Sequence, residues 1–275
     1  MSLVPRTGTA SVAAALTLAL LLTGCAGGEP TAPASTAPGP TTEAAPTTGD
    51  RPPGDASPAP SASPTAAPSR PVLADTLDPG EGYALTALAG TVEVLDEPGG
   101  EVVHALDNPR DTGAPLTFLL AEDPGDGWYR VHLPVRPNGS TGWVAADDVT
   151  VARVPYRLVM DVAANELTLL EGERVLRTMP AASGTGDTPT PTGLFYLTEL
   201  LEPTNAGYGP FAYGLSAHSE VLTSFGGGPG QIGLHGTDDA ASVGRAVSHG
   251  CIRLSDDDIT YLAGLLPLGT PIEIA

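Results

Sequence analysis

The sequence predicts a mostly-β protein: a small β unit and then a larger β-sandwich-like domain, both carried behind an unstructured tether. Three observations carry this. Runs of alternating apolar and polar residues, broken by Gly, Pro, Asp and Asn, fill the chain from Gly80 onward. A single stretch, after Ser255, has helical spacing. Residues 26 to about 75 are dominated by Pro, Ala, Thr, Ser and Gly and hold almost no large apolar side chain.

The amino terminus comes first. Residues 1–24 contain one positive charge (Arg6), no acid, and an apolar stretch from Val12 to Leu22. That is the pattern of a secretory signal, too short for a comfortable membrane span. It closes on Leu22-Thr23-Gly24-Cys25, which resembles a bacterial lipobox. The resemblance implies cleavage before Cys25, lipid on that cysteine, and a chain held at the outer face of the cytoplasmic membrane, reaching into the cell wall. Residues 25–75 cannot bury enough apolar surface to offset their chain entropy, so the expectation is a disordered tether. Its reach is on the order of 40 Å as a flexible coil and about 150 Å as extended polyproline.

Charge narrows the partners. The 12 basic residues are all arginine and face 32 acids. Without Arg6 the remaining chain has 11 arginines against the same 32 acids, a net −21. Nothing here suits a phosphate backbone, so nucleic acid is not an expected partner. Attachment to anionic lipid by a basic patch is equally excluded, which leaves lipidated Cys25 as the anchor. A monomer is expected.

The small β unit is assigned to 76–152. "TVEVLDEPGG", "PLTFLLAEDPGDGWYRVHLP" and "PNGSTGWVAADDV" read as short strands between turns. "DGWYRVHL" followed by "GSTGWVAADDV" resembles the last strands of bacterial SH3-like domains. Trp128 and Trp143 both fall here; packing in a core or at an edge is the simpler role for them, a ligand groove the other.

The larger domain is assigned to 153–275. "YRLVMDVAANELTLLEGERVLRTMPAAS" alternates through two turns, "AAN" and "EGE", as a β-meander does. Ser255 is placed to cap a helix, Asp256 to Asp258 complement its amino-terminal dipole, and Ile259, Leu262 and Leu266 give it an apolar face. Pro267 is expected to stop it, and "GTPIEIA" to close the chain as a strand.

Cys251 is the one cysteine after Cys25, so no internal disulfide is available. It sits in "GRAVSHGCIRLSDDD", with His249 beside it and His235 upstream. A metal site would need a third or fourth ligand of fitting geometry, and there is neither a CxxC pair nor an HExxH. Plain burial would leave His249 without a partner. A nucleophilic thiol uses the most residues at once. His235 and His249 are both candidate bases, and the N–H groups of Gly250 and Cys251 are candidate oxyanion donors. A neighbouring histidine and backbone donors are expected to lower the thiol pKa.

"IGLHGTDDAASVGRAVSHGCIRL" resembles the signature of the L,D-transpeptidase family (the YkuD-type domain): HGT, a spacer, then SHGC. "SGTGDTPTPTGLFYL" and "GTPIEI" match further family features. The resemblance implies Cys251 as nucleophile and His235 as base, with the Gly236 carbonyl orienting that histidine. It also implies that His249, Gly250 and Ser248 shape the pocket and oxyanion hole. Many members have asparagine where this chain has Arg253, which could pair with a substrate carboxylate or a nearby Asp. The implied activity is peptidoglycan remodelling without cofactor or metal. Cys251 would cleave the bond before the terminal D-alanine of a tetrapeptide stem, and the acyl group would pass to an amine, giving a 3→3 cross-link. The same thiol chemistry would serve an L,D-carboxypeptidase or attachment of wall proteins. A non-catalytic wall-binding lipoprotein would need neither Cys251 nor His235.

Overall fold

The computed structural model describes Leu73 and residues 80–225 and 228–275. The lipobox cysteine Cys25, the signal at 1–24 and, Leu73 apart, the Pro-rich stretch of 25–75 lie outside the described residues. Among the described residues no helix is long and apolar enough to cross a membrane.

The protein is mostly β. Its first sheet contains β1 (Gly82–Ala87), β2 (Thr91–Leu95), β3 (Val102–Asp107), β4 (Thr117–Glu122), β5 (Trp128–His132), β6 (Thr141–Ala145) and β7 (Val149–Val154). The spatial order is β3-β2-β6-β5-β4-β1-β7, and every neighbouring pair is antiparallel. The period-two pattern turns one face inward, so Val92, Val94, Phe118, Tyr129, Val131 and Val144 share a core. Trp128 and Trp143 alternate with those residues and are half-buried on the other face. The loop between β3 and β4 is fixed by Asn108. Its amide donates to the carbonyls of Ala87 (3.3 Å) and Ala89 (2.9 Å) and accepts from the N–H of Leu116 (2.9 Å).

The second sheet begins one residue later. It contains β8 (Tyr156–Asp161), β9 (Glu166–Glu171), β10 (Arg174–Pro180), β12 (Gly193–Leu201), β13 (Ala212–His218), β14 (Gln231–His235), β16 (Ile252–Arg253) and β17 (Pro271–Ile274). The order is β10-β9-β8-β17-β12-β13-β14-β16. A short parallel pair, β11 (Ser183–Gly184) with β15 (Ala246–Ser248), stands apart. The meander β8-β9-β10 turns at Asn165 (φ 53°) and Gly172 (φ 55°), left-handed positions that Asn and Gly tolerate best. The carboxy-terminal strand β17 is interior to the sheet, parallel to β8 and antiparallel to β12.

One α-helix, α1 (Asp256–Ala263), covers the sheet. Ser255 caps it by accepting from the Asp258 N–H at 3.2 Å. Ile259 and Leu262 are fully buried with Leu158, Leu197, Leu234 and Ile252, worth about 1.5–3 kcal/mol each. The helix ends earlier than the expected stop at Pro267. Gly264 terminates it, and Leu266 reaches the core from beyond the last turn through an N–H bond to the Leu262 carbonyl at 2.8 Å. The Tyr213 hydroxyl donates to the carbonyls of Leu262 (3.1 Å) and Leu266 (3.0 Å), so the frayed end is satisfied from β13.

Candidate active site

Gly233 lies at the centre of the site. A Cβ built there would stand 3.5 Å from Cδ2 of His235 and 3.7 Å from Sγ of Cys251, so the two functional side chains flank a residue that has none. The N–H of Gly233 donates to the Cys251 sulfur at 3.3 Å. Strand β14 thereby supplies His235 directly and holds the thiol by its backbone.

His235 is buried at 4% exposure. Its Nδ1 lies 2.6 Å from the Gly236 carbonyl oxygen. A carbonyl can only accept, so Nδ1 carries the proton and Nε2 keeps a free lone pair. Tyr208 packs against the ring, centroids 4.7 Å apart. Burial holds the imidazole pKa down to about 4; the Gly236 carbonyl pulls it up and Arg253 pushes it further down. His235 is therefore neutral near pH 7.

Cys251 departs from expectation. Burial pushes its thiol pKa up, and this outweighs the Gly233 N–H and Arg253, which both pull it down. The sequence shows the neighbours that favour a thiolate but not the desolvation that opposes it. The resting pair is neutral thiol beside neutral imidazole.

The turn before the thiol also corrects one assignment. Ser248 is buried; its hydroxyl donates to the Cys251 carbonyl at 2.6 Å and accepts from the Gly250 N–H at 3.0 Å. The Gly250 N–H is thus already taken and is not a free oxyanion donor. The Cys251 N–H has no acceptor among the described residues. Gly250 has φ +119°, and a Cβ there would press on Ile232 at 3.1 Å, so only glycine fits the turn.

Residues the sequence did not single out hold this turn in place. The Thr190 hydroxyl donates to the Gly250 carbonyl at 2.9 Å and accepts from the Gly184 N–H at 2.9 Å. The Thr185 N–H donates to the Ser248 carbonyl at 3.0 Å. The signal was present in "SGTGDTPTPTG", whose threonines carry no chemistry of their own.

His249 is exposed, its ring 5.6 Å from that of Phe225. It lines a pocket of about 200 Å³ with Tyr208, Phe225, His235, Cys251 and Arg253. The Nε of Arg253 is buried without a hydrogen-bond partner, and no carboxylate among the described residues pairs with it. Of the two pairings open to Arg253, the one with a nearby Asp is not made among the described residues; Asp256 accepts from the Thr237 N–H (3.1 Å), and Asp258 from the Ser255 hydroxyl (2.6 Å) and Arg177. Among the described residues no group of three or more His, Cys, Asp or Glu side chains could hold a metal ion.

Residues 155–274 match the L,D-transpeptidase catalytic domain, YkuD. Over 149 residues the chain is 36% identical to the putative L,D-transpeptidase YkuD of Bacillus subtilis, covering 52% of this chain and 83% of that protein. The chain belongs to the L,D-transpeptidase family.

L,D-transpeptidase 1 of Mycobacterium tuberculosis is 33% identical over 184 residues, covering 53% of this chain and 70% of that one. A solved L,D-transpeptidase from Mycobacterium smegmatis aligns at 20% identity and a TM-score of 0.36, over 54% of this chain and 89% of that one. The family assignment rests on the sequence relatives, and the protein is an L,D-transpeptidase enzyme. In this L,D-transpeptidase the site offers a held thiol, an imidazole with a fixed tautomer, a spare backbone donor and an unpaired guanidinium.

Proposed function

We propose that the protein is a peptidoglycan L,D-transpeptidase that uses Cys251 as nucleophile and His235 as base to form 3→3 cross-links. The observation that carries the reading is the His235 Nδ1–Gly236 carbonyl bond at 2.6 Å beside a thiol held by Gly233, which leaves Nε2 free to take a proton. As the thiol attacks the carbonyl before the terminal D-alanine of a tetrapeptide stem, its proton passes to Nε2 of His235. The tetrahedral oxyanion is met by the Cys251 N–H. The C–N bond then breaks, the proton moves from His235 to the leaving amine, and a thioester remains. An amine of a second stem attacks the thioester, loses its proton to His235 and frees the thiol. Because both groups rest neutral, proton transfer accompanies attack rather than preceding it. Arg253, with a buried Nε lacking a partner, is suited to a carboxylate of the donor.

The rest of the reading rests on sequence. Lipidated Cys25 anchors a monomer at the outer face of the cytoplasmic membrane, the Pro-rich stretch carries it toward the wall, and the first sheet is an SH3-like unit. The test is intact-mass analysis with a stem tetrapeptide, beside release of D-alanine, for wild type and Cys251→Ser. A thioester adduct and D-alanine with wild type alone are expected. D-alanine released by Cys251→Ser at the wild-type rate would overturn the reading, and an acceptor amine separates transfer from hydrolysis.

A further inference from the structure

A bare strip of backbone leads away from the thiol. Gly233 on β14 is paired with Gly214 on β13, and Gly214 with Glu199 on β12. Partners in register share a face, so Cys251, the two glycines and the Glu199 side chain line one side of the sheet. A Cβ at Gly214 would collide with Glu199 Oε1 and come within 2.7 Å of Gln231 Nε2. Gly233 leaves the floor beside the sulfur without a side chain, and Gly214 makes room for the Glu199 and Gln231 side chains that lie over it. Two strand spacings make the strip about 10 Å long, roughly three residues of extended peptide.

At the far end the wall comes from the first sheet. Glu199 is 4% exposed; it accepts from the Thr112 hydroxyl at 2.6 Å, and Arg110 Nε stands 3.6 Å from the same carboxylate oxygen. That Nε is buried and has no hydrogen-bond partner. A cavity of about 590 Å³ opens here, lined by Arg110, Asp111, Thr112, Glu199 and Gln231 among others. It shares Thr112, Glu199, Gly228 and Gln231 with the groove of about 560 Å³ that holds Gly233, His235 and Cys251. The two voids adjoin across these four residues.

In a chain with 32 acids and 12 arginines, the three buried side-chain polar atoms left without a partner among the described residues include Nε of Arg253 and Nε of Arg110. One lies beside the thiol and the other at the end of the glycine floor. Glu199 stands in ion-pair range of the second guanidinium without hydrogen-bonding its Nε, and a planar donor fork of that kind fits a carboxylate.

We infer that Arg110, delivered by the amino-terminal sheet, is a specificity-determining residue that binds a carboxylate carried two or three residues from the attacked bond of the peptide substrate. The inference rests on the groove being the peptide site of the reaction proposed above. It makes the first sheet part of the substrate site.

The test is binding to the full-length chain carrying Cys251→Ala, which removes turnover from the measurement. Two stem peptides are compared, one with its remote carboxylate free and one with that group as carboxamide. Arg110→Ala should weaken the free acid roughly tenfold to a hundredfold and the carboxamide less than about threefold. Arg110→Lys should recover part of the difference, and Arg110→Gln serves if the alanine variant folds poorly. Equal weakening of both peptides, or none, overturns the inference. So does failure of the free acid to bind while a carbapenem still acylates Cys251 in wild type, an outcome that leaves the thiol chemistry standing. Discrimination by Arg110 with no D-alanine released by wild type would sink the proposed reaction instead and keep the subsite.

Discussion

The two sheets bury different things. Among the described residues the first sheet and its loops bury two polar side chains, Thr117 and Asp123, whereas the second region buries thirteen, His235, Ser248, Thr190 and Glu199 among them. Buried polar groups are unfavourable unless each finds a partner, so they gather where geometry has to be fixed. In the second region the partners converge on the Cys251 turn. The first keeps its polar groups outside and uses a few to grip its neighbour. Arg136 donates to the carbonyls of Ser219 (2.6 Å), Pro229 (2.9 Å) and Leu222 (3.3 Å), and the Asn138 amide exchanges two 2.8 Å bonds with the backbone of His218. The second sheet seats the thiol and imidazole, while the first grips that sheet and brings Arg110 and Thr112 to Glu199.

Substitutions test how sharp that division is. The largest effect belongs to the second sheet. His235→Ala should slow acylation of Cys251 by about 10²–10⁴-fold, the usual loss of a general base, with His249→Ala costing far less. The rate of acyl-enzyme formation from a stem tetrapeptide, followed by quenched intact mass, reads both, and the opposite ranking would move the base to His249.

Acidity gives the next effect, on stability. The folded pKa of His235 is about 4 against an ordinary 6.5, so between those values the unfolded chain binds more protons than the folded one. Stability is therefore full above pH 6.5 and falls as pH drops toward 4, by on the order of 3 kcal/mol from this group. His218 and His132 are lowered too, first by burial, and act in the same direction. Urea titrations from pH 7.5 to 4.5 should show the slope, and His235→Asn should flatten it; an unchanged slope would mean that His235 protonates freely in the fold.

A smaller effect crosses between the sheets. Arg136→Ala frees three carbonyls of the segment that carries Phe225 toward His249, and acylation should fall roughly tenfold, from loss of charge-assisted bonds. Unchanged acylation would confine the Arg136 contacts to passive packing. Least of all, Leu88→Ser on the first sheet's surface, 61% exposed, should shift stability by no more than about 0.5 kcal/mol and leave acylation alone. A larger change measured by thermal melting would reveal a contact for that face.

What the sequence made legible follows the range of each interaction. Alternation exposed the β8-β9-β10 meander, and Ser255 marked the start of α1, because those signals act within a few residues. The end of α1 was misplaced because Gly264 and the distant Tyr213 hydroxyl settle it, not Pro267. Cys251, His235 and the Gly236 carbonyl sat inside one motif and were readable. The thiol's raised pKa was not, since burial comes from the whole domain. The grip of Ser248 on the Gly250 N–H depended on a turn conformation that spacing alone does not encode. Arg110 and Glu199 lie 89 positions apart and meet only once both sheets are assembled.

The interior place of β17 has a consequence for synthesis. Strand β8 leaves the ribosome early in the second region, yet its neighbour in the sheet is residues 271–274, more than a hundred positions later. Without that segment, β8 and β12 have no strand between them. The sheet that seats the thiol is thus complete only once residues 271–274 are in place between β8 and β12. A chain stopped at Gly269 should remain open to protease through β8–β14, and resistance in that truncated chain would show that the strands close without their last member.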